Sequence, residues 1–74
     1  MEVKTIAVVG AGTMGRGIAY ASALGGYSTL LQDISDDMLD KAMAWIREAF
    51  EEGVRRGKLN ASTCQAALAC ILLL

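Results

Sequence analysis

A glycine-rich segment near the start of the chain has the residue types and spacing to bind a phosphate group. Gly10, Gly12 and Gly15 follow the pattern G-x-G-x-x-G, between the apolar run 5–9 and a stretch with helical character. In such a turn the first glycine permits a tight exit from a strand, the second admits a pyrophosphate close to the backbone, and the third allows close helix–strand packing. A helix that begins here presents N–H donors and the positive end of its dipole to phosphate oxygens. The segment therefore predicts a dinucleotide site.

An acidic residue lies where such a site requires one. Asp33 ends the second predicted strand, at about the 20-residue distance typical of the acid that binds the adenosine ribose hydroxyls. A carboxylate there also repels a 2′-phosphate, so the cofactor is predicted to be NAD and not NADP. An isolated aspartate would more simply be a capping or turn residue. Its place after a strand, a glycine loop, a helix and a second strand favours the ligand role.

The order of the predicted elements indicates an α/β fold with a parallel sheet. We expect a strand over 3–9, a helix over 13–24, a strand over 27–32 and a long helix with Ser35 as its N-cap and Gly57 at its end. Asn60 is expected to cap a third helix to about Leu68, and 70–74 a third strand. The near-continuous apolar character of the first strand suits a strand covered on both faces. The predicted fold is a partial, truncated Rossmann fold.

The two longer helices carry apolar residues at helical spacing. In the first, Met14, Ile18, Ala21 and Leu24 recur at intervals of four, three and three and fit one face, while its glycines and alanines favour close backbone packing. In the second, the apolar positions are Leu39, Ala42, Met43, Ile46, Ala49, Phe50 and Val54. Trp45 lies off the centre of that stripe and is expected to be partly buried.

Composition excludes several classes of function. The 74 residues are 54% apolar and 20% charged, as expected for a packed domain. The net charge is −1 without a basic block, which argues against a nucleic-acid or anionic membrane partner. The first residues do not resemble a signal peptide, and the longest apolar run, 66–74, is too short to span a bilayer. A cytoplasmic protein is the simplest interpretation.

Metal and acid–base chemistry are also not expected. Cys64 and Cys70 lack the spacing of metal ligands, and the chain contains no histidine. Chemistry that depends on a histidine acid or base therefore cannot be completed by these residues. We predict no catalytic residue and no metal ligand in this chain.

The segment GAGTMGRGIA, residues 10–19, resembles the 3-hydroxyacyl-CoA dehydrogenase family. The similarity continues through LQDI at 31–34 and through the long helix to about residue 59, whereas 60–74 is similar only loosely. The resemblance implies NAD as cofactor, with Gly10, Gly12, Gly15 and Asp33 as cofactor-binding residues. Thr13 and Met14 also match the motif and are expected to line the cofactor.

The resemblance further implies a reaction that this chain does not complete. Members of the family have a Rossmann domain and a helical domain, and transfer hydride between NAD and C3 of an L-3-hydroxyacyl-CoA with the help of a His–Glu pair, a serine and an asparagine. These residues lie downstream of the matched region. Residues 1–74 are therefore expected to be the N-terminal part of the NAD-binding domain, inactive alone, with an acyl-CoA partner only in a complete protein.

A partial sheet has a consequence for self-association. In the doubly wound strand order 3-2-1-4-5-6, strand 1 lies between strands 2 and 4. Without strand 4, strand 1 is an open apolar edge, and such edges recruit other chains. We therefore expect a homo-oligomer that forms through strand 1.

Three other functions remain open from the sequence. The first is a dehydrogenase of another 3-hydroxy acid, such as 3-hydroxyisobutyrate or gulonate, which would share the same nucleotide site. A flavoprotein is disfavoured, because flavoproteins usually have glutamate at the position of Asp33. A non-enzymatic protein that reuses the fold is a second possibility. The third is an inert truncated product that is folded only through self-association.

Overall fold

The computed structural model describes residues 4–74, which form a three-stranded sheet and three helices. The elements are β1 (Thr5–Val9), α1 (Thr13–Leu24), β2 (Ser28–Gln32), α2 (Asp36–Arg55), α3 (Ala61–Ala69) and β3 (Ile71–Leu73). Every element predicted from the sequence is present, and α1 has the predicted bounds. Val3, the expected start of the first strand, lies outside the described residues.

The sheet is parallel, and its strand order is β1-β2-β3. The chain thus moves across the sheet in one direction, and right-handed crossovers place all the intervening helices on the same face. Val8, Thr29 and Leu31 point to that face and are buried. The predicted α/β fold with a parallel, partial Rossmann arrangement is confirmed.

The opposite face of the sheet is exposed in the part of the chain that the structure describes. Ala7 and Gln32 are exposed, Val9 is 80% exposed and Leu72 is 55% exposed. The sequence predicted that both faces of β1 would be covered. That expectation fails because both crossovers have the same hand and direction, so the described helices cover only one face.

Helix α1 packs on the sheet through its small residues. Ala19, Ser22 and Ala23 are its buried positions. The larger residues Met14 and Ile18 of the apolar face identified from the sequence are 80% and 47% exposed. The close packing predicted for the small residues is therefore present at Ala19 and Ala23, whereas the apolar face is largely exposed at these two larger residues. The close approach of the backbone to the sheet leaves room only for small side chains between them, while Tyr20 and Leu24 of the same helix are half-buried against the core.

Gly15 shows how close this approach is. A Cβ atom at Gly15 would overlap the carbonyl oxygen of Gly10 and lie 3.5 Å from a methyl carbon of Val8. A Cβ at Gly17, two positions further, would meet nothing within 4 Å. The third glycine of the motif is thus required by packing, as the sequence predicted.

The remaining helices are capped by side chains and complete the core. The Ser35 hydroxyl accepts the Met38 N–H at 3.3 Å, and the Asn60 amide oxygen accepts the Ser62 N–H at 2.8 Å. Both caps were predicted. Helix α2 contributes most of the large buried side chains, namely Leu39, Met43, Ile46 and Phe50.

Two absences hold for residues 4–74. None of the helices there combines the length and the apolarity needed to cross a bilayer. No group of three potential metal-ligating side chains occurs within the same residues, and Cys64 and Cys70 are free thiols.

The matched substitutions Gly15→Ala and Gly17→Ala test the close approach of α1. We expect Gly15→Ala to destabilise the fold by about 2 kcal/mol or more, since the overlap with backbone forces α1 away from β1. Gly17→Ala should stabilise it by roughly 0.5–1 kcal/mol, because alanine is the better helix former. Urea unfolding followed by circular dichroism measures both. Equal stability changes for the two variants would contradict the packing argument.

Candidate functional site

The six predicted site residues lie together at the carboxyl end of β1 and β2. Gly10, Gly12, Thr13, Met14 and Gly15 form the turn from β1 into α1, and Asp33 directly follows β2. The Gly10 N–H donates to the carbonyl of Gln32 at 2.7 Å, which keeps the turn beside the end of β2. Gly10 has a φ of +98°, a conformation that residues with a side chain rarely adopt.

The start of α1 is open where a phosphate would bind. Gly12 is the N-cap residue, no side chain caps the helix, and its first turn contains no acidic residue. A Cβ at Gly12 would meet no protein atom within 4 Å, so the space in front of the helix is unfilled by the chain. The first N–H groups of a helix have no partner within the helix. The residues present therefore fit the pyrophosphate of a dinucleotide.

The contrast with the other helices strengthens this interpretation. Helix α2 has Ser35 as a capping side chain and Asp36 and Asp37 in its first turn, so its dipole is already compensated. Helix α3 is capped by Asn60. Among the three described helices, α1 alone starts with neither device, and it is the helix that follows the glycine motif.

The Asp33 carboxylate connects the glycine loop to the start of α2. One carboxylate oxygen accepts the Ala11 N–H and the other accepts the Ser35 N–H, each at 2.9 Å. These two bonds, the Ala11 bond first, hold the pKa of Asp33 below its ordinary value, against a smaller opposing effect of desolvation. The carboxylate is therefore ionised throughout the neutral range.

These bonds leave acceptor capacity for a ligand. A carboxylate has about four lone-pair sites, and the two backbone N–H groups use one on each oxygen. The remaining sites can accept the two hydroxyls of a ribose. Asp33 is also half-buried, not enclosed, so a ligand can reach it.

The contribution of Ala11 could not be read from the motif. Ala11 occupies a variable position of the glycine pattern, and it acts through its backbone N–H, which every residue except proline has. Its side chain is buried, and no side-chain signal in the sequence indicates the hydrogen bond. Ser35 was predicted only as a cap, whereas its N–H also binds Asp33.

Exposed apolar side chains surround the loop. Val9 and Met14 are each 80% exposed, and Ile34 is fully exposed. Thr13 is exposed as well. The structure thus brings all six predicted residues to one accessible site, while their role as ligands of a cofactor stays a prediction.

Comparison with known proteins identifies relatives along nearly the whole chain. Residues 5–73 match the family model described as 3-hydroxyacyl-CoA dehydrogenase, NAD binding domain. The chain is 46% identical over 68 residues to a 3-hydroxyadipyl-CoA dehydrogenase of Escherichia coli K12, a match that covers 92% of this chain. It is 49% identical over 59 residues, 80% of this chain, to the fatty acid oxidation complex subunit alpha of Idiomarina loihiensis.

Solved structures agree with the sequence relatives. The fold matches a 3-hydroxybutyryl-CoA dehydrogenase from Escherichia coli K12 with a TM-score of 0.96 and 42% identity, over 100% of this chain and 16% of that one. An (S)-3-hydroxybutyryl-CoA dehydrogenase from Ralstonia eutropha matches with a TM-score of 0.94 and 36% identity, over 99% of this chain and 26% of that one. The chain spans only 14% and 8% of the two sequence relatives. It belongs to the NAD-binding domain family of the 3-hydroxyacyl-CoA dehydrogenases.

Proposed function

We propose that this chain forms the ADP-ribose half of an NAD site, as the N-terminal part of a Rossmann NAD-binding domain in a 3-hydroxyacyl-CoA dehydrogenase. The observation that carries the proposal is the hydrogen bond from the Ala11 N–H to the Asp33 carboxylate. It joins the predicted ribose acceptor to the predicted phosphate loop, beside a helix start that no side chain caps.

Each site residue has a role that its position supports. Gly12 leaves space for the pyrophosphate, and Gly15 lets α1 direct its N-terminus at that space. Asp33 accepts the ribose hydroxyls and repels a 2′-phosphate. Thr13 and Met14, exposed in the first turn of α1, line the cofactor.

The proposed reaction is reversible hydride transfer between NAD and C3 of an L-3-hydroxyacyl-CoA. The names of the sequence relatives support this class, since they describe a 3-hydroxyacyl-CoA type of dehydrogenase and a fatty acid oxidation subunit. The 74 residues include no histidine, so they do not supply a histidine acid or base for this reaction. We expect no turnover by this chain alone, and we propose a cytoplasmic location.

Titration with NAD, ADP-ribose and NADP tests the proposal. We expect the chain to bind NAD and ADP-ribose with equal, weak affinity, because it contacts only the ADP-ribose part of the dinucleotide. NADP should bind more weakly, since its 2′-phosphate meets the ionised Asp33. Isothermal calorimetry measures the three dissociation constants, and Asp33→Asn should reduce the difference between NAD and NADP. Absence of binding by both NAD and ADP-ribose would favour a non-catalytic structural protein.

The lowered pKa of Asp33 predicts how stability depends on pH. The folded-state pKa lies below that of the unfolded chain, so the ionised carboxylate stabilises the fold above the ordinary aspartate pKa, and this contribution is lost as the pH falls through the lowered value. Asp33→Asn should therefore be less stable than wild type at pH 7, and the difference should shrink towards pH 3. Chemical unfolding at both pH values measures it.

Asp40→Asn is the matched control for this measurement. Asp40 is an exposed aspartate of α2, so the same chemical change there should alter stability little at either pH. A difference between wild type and Asp33→Asn that stays constant with pH would contradict the role of the charge.

We also propose that the chain self-associates through the open edge of β1. Within the described residues, β1 pairs with β2 alone. The Lys4 carbonyl accepts the Ser28 N–H, and the Gly10 N–H donates to Gln32. Since backbone groups alternate in direction along a strand, Thr5, Ala7 and Val9 direct theirs to the open edge.

Ala7→Pro tests the edge without breaking a bond between β1 and β2. Proline removes one outward N–H and is tolerated on an edge strand. Sedimentation should show a dimer or larger species for wild type and for the control Ala7→Val, which keeps the N–H. Ala7→Pro should be monomeric. A monomeric wild type at all concentrations would contradict the proposal.

A further inference from the structure

We infer that the buried side chains of Ser22 and Thr29 are a positioning pair for the site at the start of α1. Their hydrogen bond fixes the angle at which α1 lies on β2, and this angle keeps the glycine loop within hydrogen-bond distance of Asp33. The effect of the pair on the loop goes beyond the proposed function, while its effect on a ligand rests on that function. Neither residue belongs to the G-x-G-x-x-G pattern.

The two hydroxyls form a hydrogen bond inside the core. Within residues 4–74, Ser22 and Thr29 are the buried polar side chains, 6% and 0% exposed. The Oγ atom of Ser22 and the Oγ1 atom of Thr29 lie 2.8 Å apart, the usual length of an O–H···O hydrogen bond. The bond therefore joins α1 to β2 away from solvent.

The number of hydrogens makes this bond the most persistent of the local contacts. Ser22 Oγ also lies 3.2 Å from the Ala19 carbonyl oxygen, and Thr29 Oγ1 lies 3.1 Å from the Tyr27 carbonyl oxygen. Two hydroxyls supply only two hydrogens for these three contacts. Since two hydroxyl oxygens at 2.8 Å need a hydrogen between them, one of the longer carbonyl contacts goes without, and the bond between the hydroxyls is kept.

The other contacts between α1 and the sheet restrict the angle of the helix less. Besides Ser22, the buried residues of α1 are Ala19 and Ala23, and such small side chains form only low ridges against a partner surface. Apolar contacts are also non-directional, so they hold α1 on the sheet without fixing its angle. A hydrogen bond depends on both distance and direction, and the hydroxyl pair supplies that restriction.

The length of α1 amplifies a change at the hydroxyl pair. The Tyr27 N–H donates to the Ser22 carbonyl at 3.0 Å, so the connection to β2 acts as a pivot beside the pair. Ser22 lies roughly 14 Å along the helix axis from Thr13, and a tilt of about 5° would move the start of α1 by roughly 1 Å. Such a displacement is enough to disrupt the 2.9 Å bond from the Ala11 N–H to the Asp33 carboxylate.

Thr29→Val and Thr29→Ser test the pair in the 74-residue chain. Valine has nearly the shape of threonine but no hydroxyl, so Thr29→Val should weaken the bond between Ala11 and Asp33. The pKa of Asp33 should then rise towards the ordinary aspartate value, because the Ala11 bond is the largest cause of its lowering. Thr29→Ser keeps the hydroxyl and should retain the wild-type pKa. NMR titration of the Asp33 carboxyl carbon measures the pKa, and the Ala11 amide proton reports the bond directly.

Ile46→Val is the control for a purely structural role. Ile46 is fully buried in α2, so the loss of one methylene there should lower the free energy of unfolding without changing the pKa of Asp33. An unchanged pKa in Thr29→Val would overturn the inference. An equal rise of the pKa in Ile46→Val or in Thr29→Ser would overturn it as well, since the hydroxyl would then not be the cause.

Titration with ADP-ribose separates this inference from the proposed function. Thr29→Val should weaken ADP-ribose binding about two- to tenfold, the range that corresponds to the net contribution of one hydrogen bond. An unchanged affinity would contradict the effect of the pair on the ligand. Failure of wild type to bind ADP-ribose would overturn the proposed function, whereas the NMR measurements on the unliganded chain would still decide whether the pair positions the loop.

Discussion

The backbone contact between Gly15 and the Gly10 carbonyl constrains the rest of the structure. Because a Cβ at Gly15 would overlap that oxygen, α1 begins directly against the end of β1, and the residues of α1 that face the sheet must be small. Ala19 and Ala23 satisfy this requirement at intervals of four. The same close approach directs the start of α1 at the space in front of Gly12. The packing of α1 and the direction of its N-terminus are therefore consequences of one contact, and a change that relieves the crowding would also displace the predicted phosphate site.

Asp33 links the glycine loop to the end of the second strand. Its carboxylate binds the Ala11 N–H of the loop and the Ser35 N–H before α2, while its own backbone N–H donates to the Leu74 carbonyl at 3.3 Å. The acid is thus fixed from the loop, from the start of α2 and from the end of β3. A side chain held in this way loses little conformational freedom when a ligand binds, which favours affinity. The same two backbone donors that orient the carboxylate, Ala11 first, also lower the pKa of Asp33.

The sequence predicted the position of the glycine loop and of Asp33 better than the burial of the apolar residues, for a physical reason. Gly10 and Gly15 are recognisable because few residue types satisfy a positive φ or a missing Cβ. Asp33 is recognisable by its distance from the glycine pattern, and its role as a ribose acceptor stays a prediction. In α1 the small residues predicted to pack closely include the buried Ala19 and Ala23, whereas Met14 and Ile18 of the apolar face are exposed. Hydrophobicity predicts which side chains gain from burial, but the backbone distance decides which of them fit. The Ala11 N–H was beyond prediction, since a backbone donor has no signature in residue type.

The sheet explains why the predicted site can be ordered while one face of the sheet is uncovered within residues 4–74. Helices cover one face of the sheet, and the other presents apolar side chains such as Val9 and Leu72 to solvent. The loop, Asp33 and α1 depend only on contacts made on the covered face and between β1 and β2. Their geometry therefore does not require anything to cover the other face. The stability of the whole fold does depend on such a cover. Apolar surface that stays in solvent contributes no burial free energy to offset the loss of chain entropy. Order at the glycine loop and an uncovered apolar face within residues 4–74 thus follow from the same topology.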